Sequence, residues 1–88
     1  MNVEMVQAEL TTLFARDLSV EVPSPDTDLL QSGRLDSVGM VELLARLEQQ
    51  FGVQVEIENL EIDHFRSLAT IAAFIVAHSN GHGRGMTQ

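Results

Sequence analysis

From position 37 to position 51 the chain lays Met40, Val41, Leu43, Leu44, Leu47 and Phe51 along one broad arc of an α-helix. Gly39, Glu42, Arg46, Gln49 and Gln50 fall on the opposite side. An apolar arc of that width has to be buried, so the rest of the chain must supply something to pack on it. Asp36 or Ser37 caps this helix, and Gly52 stops it. Val3, Val6, Leu10, Leu13 and Phe14 repeat at helical spacing in a first helix that runs to about Leu18, with Asn2 at its start. Ser67 caps a last helix over 67–78, whose inward stripe is Leu68, Ile71, Ala72 and Ile75.

The connections are as informative. Residues 19–36 read as a long loop, punctuated by Ser19, Pro23, Pro25, Asp28 and Gly33. A loop of that length needs an anchor, for which Leu29 and Leu30 are available. Val53, Val55 and Ile57 alternate with Gln54 and Glu56, which is strand periodicity. A single strand in a helical chain has nothing to pair with, so residues 53–57 are expected to be an extended connection. A short third helix is expected over 58–64, with Leu60 and Ile62 facing inward. Asn80, Gly81, Gly83 and Gly85 predict that order ends near His78. The expectation is an all-α four-helix bundle over residues 1–78, three main helices and a short third one, followed by a flexible tail over 79–88.

Size and charge limit the function. At 9.7 kDa the chain can support one core but not a second domain with a cofactor cleft. With no cysteine it has no disulfide, thiol nucleophile or Cys-based zinc site. Thirteen acidic residues oppose five basic ones, all arginine, for a net charge of −8. That field disfavours nucleic acid and anionic membrane and suits a basic protein surface. No signal peptide or membrane span is apparent, so a soluble cytoplasmic protein, monomeric by default, is expected.

The segment Gly33-Arg34-Leu35-Asp36-Ser37-Val38-Gly39-Met40 places a serine where the long loop meets the clearest helix. A helix start carries free N–H groups and partial positive charge, and favours a phosphate attached there. The plainer alternative is that Asp36-Ser37 is only a cap. Val38 and Ala45 lie one heptad apart beside Glu42 and Gln49, forming either a docking strip or ordinary scattered surface residues. Other readings are weaker. Ser37-Val38-Gly39 is half an esterase elbow, but Leu35 stands where its first glycine should be. His78 and His82 are spaced i, i+4, with Gly81 between them, and read better as part of a solvated tail than as a metal site. Glu56, Glu58, Glu61 and Asp63 form a solvated acidic face or extend the docking strip. An unmodified helical adaptor remains open as a function.

Asp36-Ser37 followed by Val38, Val41, Glu42, Leu43-Leu44, Leu47 and Phe51 resembles the phosphopantetheine-binding helix of acyl and peptidyl carrier proteins. Asp26-Thr27-Asp28-Leu29-Leu30 resembles the family's stretch ahead of the serine, and Phe65-Arg66-Ser67-Leu68-Ala69-Thr70-Ile71 the start of its last helix. The likeness spans roughly residues 3–78 and implies the family's four-helix bundle. It further implies a non-catalytic carrier whose Ser37 takes 4'-phosphopantetheine from coenzyme A through a phosphopantetheinyl transferase. Asp36 would lie beside the coenzyme A site of that transferase and help bind its magnesium. Glu42 and Glu48 match acidic positions of the family's recognition helix. With Val38, Met40, Val41, Ala45 and Gln49 they make up the expected partner face. The implied partners are the transferase, a loading ligase or acyltransferase, and a downstream transferase or synthase.

Departures from the family pattern point to a subclass. Fatty-acid carriers usually have an acidic residue two after the serine and an acidic end to this helix; here Gly39 and Gln49-Gln50 stand there. The run Asp-Ser-x-Gly-x-Val-x-Leu-Leu ending in Gln50-Phe51-Gly52 resembles D-alanyl carrier proteins and related stand-alone aminoacyl carriers. Phe65 replaces their usual Trp and Leu68 a frequent Pro, which argues against the D-alanyl function itself. By this analogy the chain is a discrete carrier in a natural-product pathway, polyketide or nonribosomal peptide, with fatty-acid synthesis as the alternative.

Overall fold

The computed structural model describes residues 2–56, Glu58 and 60–86, with side chains through His78. Three α-helices, α1 (Val3–Asp17), α2 (Ser37–Phe51) and α3 (Leu68–Met86), are joined by the long loop and by a segment containing a 3-10 helix, Ile62–Phe65. No strand occurs among the described residues, and 53–56 forms a connection without regular secondary structure, with Val53 buried and Val55 half-buried. Ile57 lies outside the described residues.

Each helix begins where its side chains can satisfy its first N–H groups. Asn2 Oδ1 accepts the Met5 N–H at 2.8 Å, and Asp36 Oδ1 accepts the Gly39 N–H at 2.8 Å. Ser67 Oγ accepts the Thr70 N–H at 3.2 Å, while Thr70 Oγ1 accepts the Ser67 N–H at 3.1 Å. Gly52 ends α2 at φ +71°, a left-handed conformation that costs glycine little.

One core joins the helices. Val6, Leu10, Leu13 and Phe14 of α1 meet Leu43 and Leu47 of α2 and Leu68, Ile71 and Ile75 of α3, all of them buried. The backbones of α1 and α3 run close together, whereas α2 joins the core mainly through its longer side chains. Burial of each such side chain favours folding by about 1.5–3 kcal/mol before chain entropy is set against it.

Four expectations need correcting. Ile62 is 46% exposed, and Phe65, three residues on, is the side chain that the short helix buries. Phe65 closes the turn next to the start of α3, where its ring packs 5.3 Å from that of Phe74, whereas Ile62 opens the turn. Val41 lies outside the core at 54% exposure, because α3 and α1 cover only the Met40, Leu43, Leu44 and Leu47 side of the arc. Phe51, at the end of α2, is half-buried. Finally, α3 does not stop near His78; it continues to Met86. Gly81, Gly83 and Gly85 each cost about 1 kcal/mol in a helix, but no proline breaks the ladder. A helix already nucleated on a buried stripe gains one hydrogen bond for each residue added.

Candidate functional site

The site is assembled by the loop before it. Leu29 and Leu35 are buried plugs, and the Leu35 N–H donates to the Leu29 carbonyl at 2.9 Å. Between them the chain turns. Asp28 Oδ1 accepts the N–H groups of Gln31 and Leu30, and Gly33 closes the turn at φ +79°. The Leu29 N–H donates to the Arg66 carbonyl at 2.6 Å, and the Ala69 N–H to the Pro25 carbonyl at 3.0 Å. The loop is therefore stitched to the start of α3. Arg66 reinforces this by pairing with Asp28 at 3.3 Å and with Asp63 at 2.9 Å. The Gln31 N–H, helped by Arg66, holds the Asp28 carboxyl below its ordinary pKa. The Asp63 hydrogen bond and the Asp28 charge raise that of Arg66.

This frame delivers Asp36 and Ser37 to the head of α2. Asp36 is the cap, which resolves the choice left open by the sequence. Gly39 makes room for it: a Cβ there would meet Asp36 Oδ1 at 3.3 Å and Leu35 Cδ1 at 3.1 Å. Relieved of capping, Ser37 is exposed in the first helical turn. The N–H groups of Ser37 and Val38 precede the helical ladder, so the surroundings favour an anion on the serine oxygen.

Running down α2 from Ser37, Val38 is 79% exposed and Val41 54%, with Ala45, Glu48 and Gln49 also exposed. Spacings of three and four residues align Val38, Val41, Ala45 and Glu48 in one stripe. Met40 is only 7% exposed and belongs to the core, which removes it from the partner face drawn from sequence. Its place on the wheel, beside Leu43, Leu44 and Leu47, is the reason. Glu42 borders the stripe but is bound to Arg46, whose Nη2 lies 2.9 Å from Oε2. Glu48 accepts from Gln54 Nε2 at 2.9 Å. Arg46 is thus a member of this face that sequence reading passed over; its i, i+4 spacing from Glu42 was the available signal.

There is no sheet among the described residues on which to build an esterase elbow. No group of three His, Asp or Glu among the described residues is arranged to hold a metal ion, and the His82 side chain lies outside them. No helix is long and apolar enough to cross a membrane among the described residues.

Comparison with known proteins adds three findings. The family described as "Phosphopantetheine attachment site" matches residues 8–75. D-alanyl carrier proteins of Streptococcus pyogenes, serotypes M1 and M5 among them, are 36% identical over 72 residues, covering 81% of this chain and 87% of theirs. The solution structure of a holo acyl carrier protein from Nitrosomonas europaea superposes with a TM-score of 0.52 at 23% identity, covering 91% of this chain and 93% of that one.

Proposed function

The chain belongs to the carrier-protein family that bears covalent 4'-phosphopantetheine, and from that premise we propose that Ser37 is its attachment residue. The observation that carries this reading is the division of labour at the head of α2, where Asp36 caps the helix and Ser37 stands exposed. The first-turn N–H groups favour the negative charge of a phosphodiester there. The carrier unit is residues 1–78. When bound, the arm supplies a terminal thiol on which an acyl or aminoacyl group is held as a thioester. The chain's own part is delivery rather than catalysis: it presents Ser37 at a rigid helix head and offers partners the adjoining stripe. Val38, Val41 and Ala45 give that stripe apolar area, and Glu42, Glu48 and Gln49 give it a polar rim. Asp36 stands beside the coenzyme A and magnesium of the transferase while Ser37 is modified.

As to cargo, we favour a discrete carrier loaded by an adenylating ligase or acyltransferase in a natural-product pathway. A second reading is D-alanyl transfer, favoured by the name of the 36% identical relatives. Phe65 and Leu68, where the chain departs from such carriers, are 0% and 1% exposed. They change packing rather than the surface a ligase meets, so their weight against that function is small.

The test is intact mass after incubation with coenzyme A, magnesium and a broad-specificity phosphopantetheinyl transferase, beside Ser37→Ala. A gain of one phosphopantetheine in the parent alone supports the assignment. No gain in a folded parent, with a control carrier loading normally, sinks it and favours the unmodified adaptor. Mass after exposure of the loaded form to ligase, ATP and D-alanine then separates the two cargo readings.

A further inference from the structure

Arginine is the only basic residue type besides histidine in this chain, and the arginines are used unequally. Among the described side chains, Arg16, Arg46 and Arg66 each pair with a carboxylate at 3.3 Å or less. Arg34 has no such pairing; its Nε donates to the backbone carbonyl of Glu21 at 3.0 Å. Carboxylates are near. Arg34 lines a groove of about 350 Å³, between the end of α1 and the head of α2, together with Asp17, Asp36 and Glu42. Each of these is already engaged: Asp17 with Arg16, Glu42 with Arg46, and Asp36 with the Gly39 N–H. The groove therefore holds a guanidinium fixed through its Nε that forms no ion pair with the carboxylates around it, in a chain with net charge −8.

The position of this cation gives it a use. Asp36 and Val38, the two neighbours of Ser37, both line the groove, so it opens at the shoulder of the serine. The rest of its lining is Gly39 and four apolar side chains, Leu18, Val20, Leu35 and Val38. A phosphodiester rooted at Ser37 is a single-charged anion with two free oxygens, which suits a planar guanidinium. The next part of the arm is a carbon bearing two methyl groups, which suits an apolar wall. We propose that Arg34 binds the phosphodiester on Ser37 and lays the first part of the arm into this groove. The arm then leaves α2 in one preferred direction, toward the end of α1. This inference rests on Ser37 being the attachment residue.

The experiment uses the full chain in apo and phosphopantetheinylated forms, with loading checked by mass. Nitrogen-15 NMR follows the Arg34 Nε–H resonance, and phosphorus-31 NMR the phosphodiester. On loading, the Arg34 Nε–H signal shifts, and 1 M salt moves it back toward its apo position, since screening at that strength acts within about 3 Å. In loaded Arg34→Gln the phosphorus line narrows as the arm is released, while Arg34→Lys retains part of the broadening. If loading is complete but the parent's Arg34 signal does not move, the arm does not use this arginine and the inference is wrong, whatever the variants do. In that case Ser37 remains the attachment residue. Failure of the folded parent to load, or loading at another residue, overturns both.

Discussion

Two serines stand at the heads of two helices in this molecule, and they have opposite fates. Ser67 is the cap of α3: it is 8% exposed, and it exchanges hydrogen bonds with Thr70 in both directions. Ser37 is one position further into its helix, because Asp36 has taken the cap of α2, and it is exposed. The same residue type is a structural fastener in one place and an exposed, uncommitted hydroxyl in the other. What separates them is the neighbour. Leu68 follows Ser67 and is buried, drawing that helix head into the core. Val38 follows Ser37 and is 79% exposed, leaving that helix head outside. A serine at a helix start is a candidate for modification only when something else does the capping.

The sharpest way to break this comparison is to exchange the losses. Ser37→Ala should abolish loading by the transferase, while its melting transition stays within about 0.5 kcal/mol of the parent, since the side chain caps nothing. Ser67→Ala should load normally but lose about 1–2 kcal/mol, through the lost cap and an unsatisfied Thr70 N–H. Urea unfolding with mass analysis on both variants reads the pair. Normal loading of Ser37→Ala, or an unchanged stability of Ser67→Ala, would undo the distinction.

Asp36 lets the contrast be sharpened. Asp36→Ala should cost about 0.5–2 kcal/mol as a lost cap, and Asp36→Asn much less, because the amide oxygen still accepts the Gly39 N–H. If the carboxylate also serves the transferase, both variants load more slowly, although only one is destabilised. Equal loading rates for Asp36→Asn and the parent would confine Asp36 to capping.

The smallest effect concerns the tie between the loop and the head of α3. The Asp28 carboxyl is held below its ordinary pKa by the Gln31 N–H and by Arg66. A depressed folded-state pKa means that the contribution is complete above the unfolded value of about 4 and fades as pH falls through the folded value. The urea midpoints of the parent and Asp28→Asn should therefore differ most near neutral pH and converge in strong acid. A difference that persisted or grew at low pH would show that the tie does not depend on the carboxylate.

Much of this was legible in the residues themselves. The boundaries of α1 and α2, their caps, the buried stripe of α3 and the choice of Leu29 as an anchor all follow from local signals, because capping, glycine conformation and helical periodicity act within a few residues. Gly39 beside Asp36-Ser37 is of the same kind: its lack of a side chain matters to atoms three residues away. The errors fall where distant segments decide. Val41 and Met40 both lie on the apolar arc of α2, yet one is exposed and the other buried, since only the placing of α1 and α3 sets where cover ends. Phe65 displaced Ile62 as the inward residue, and α3 ran on past its first glycine. The distribution of ion pairs was equally out of reach. Arg34 is separated from Asp36 by one residue in the chain, yet its hydrogen bond goes to the backbone of Glu21, thirteen residues away. The sequence determined that there would be a capped helix with a serine at its head. Which face of that helix meets the solvent, and which arginine is left without a carboxylate partner, was decided by the fold, because both depend on how long-range packing distributes cover and charge.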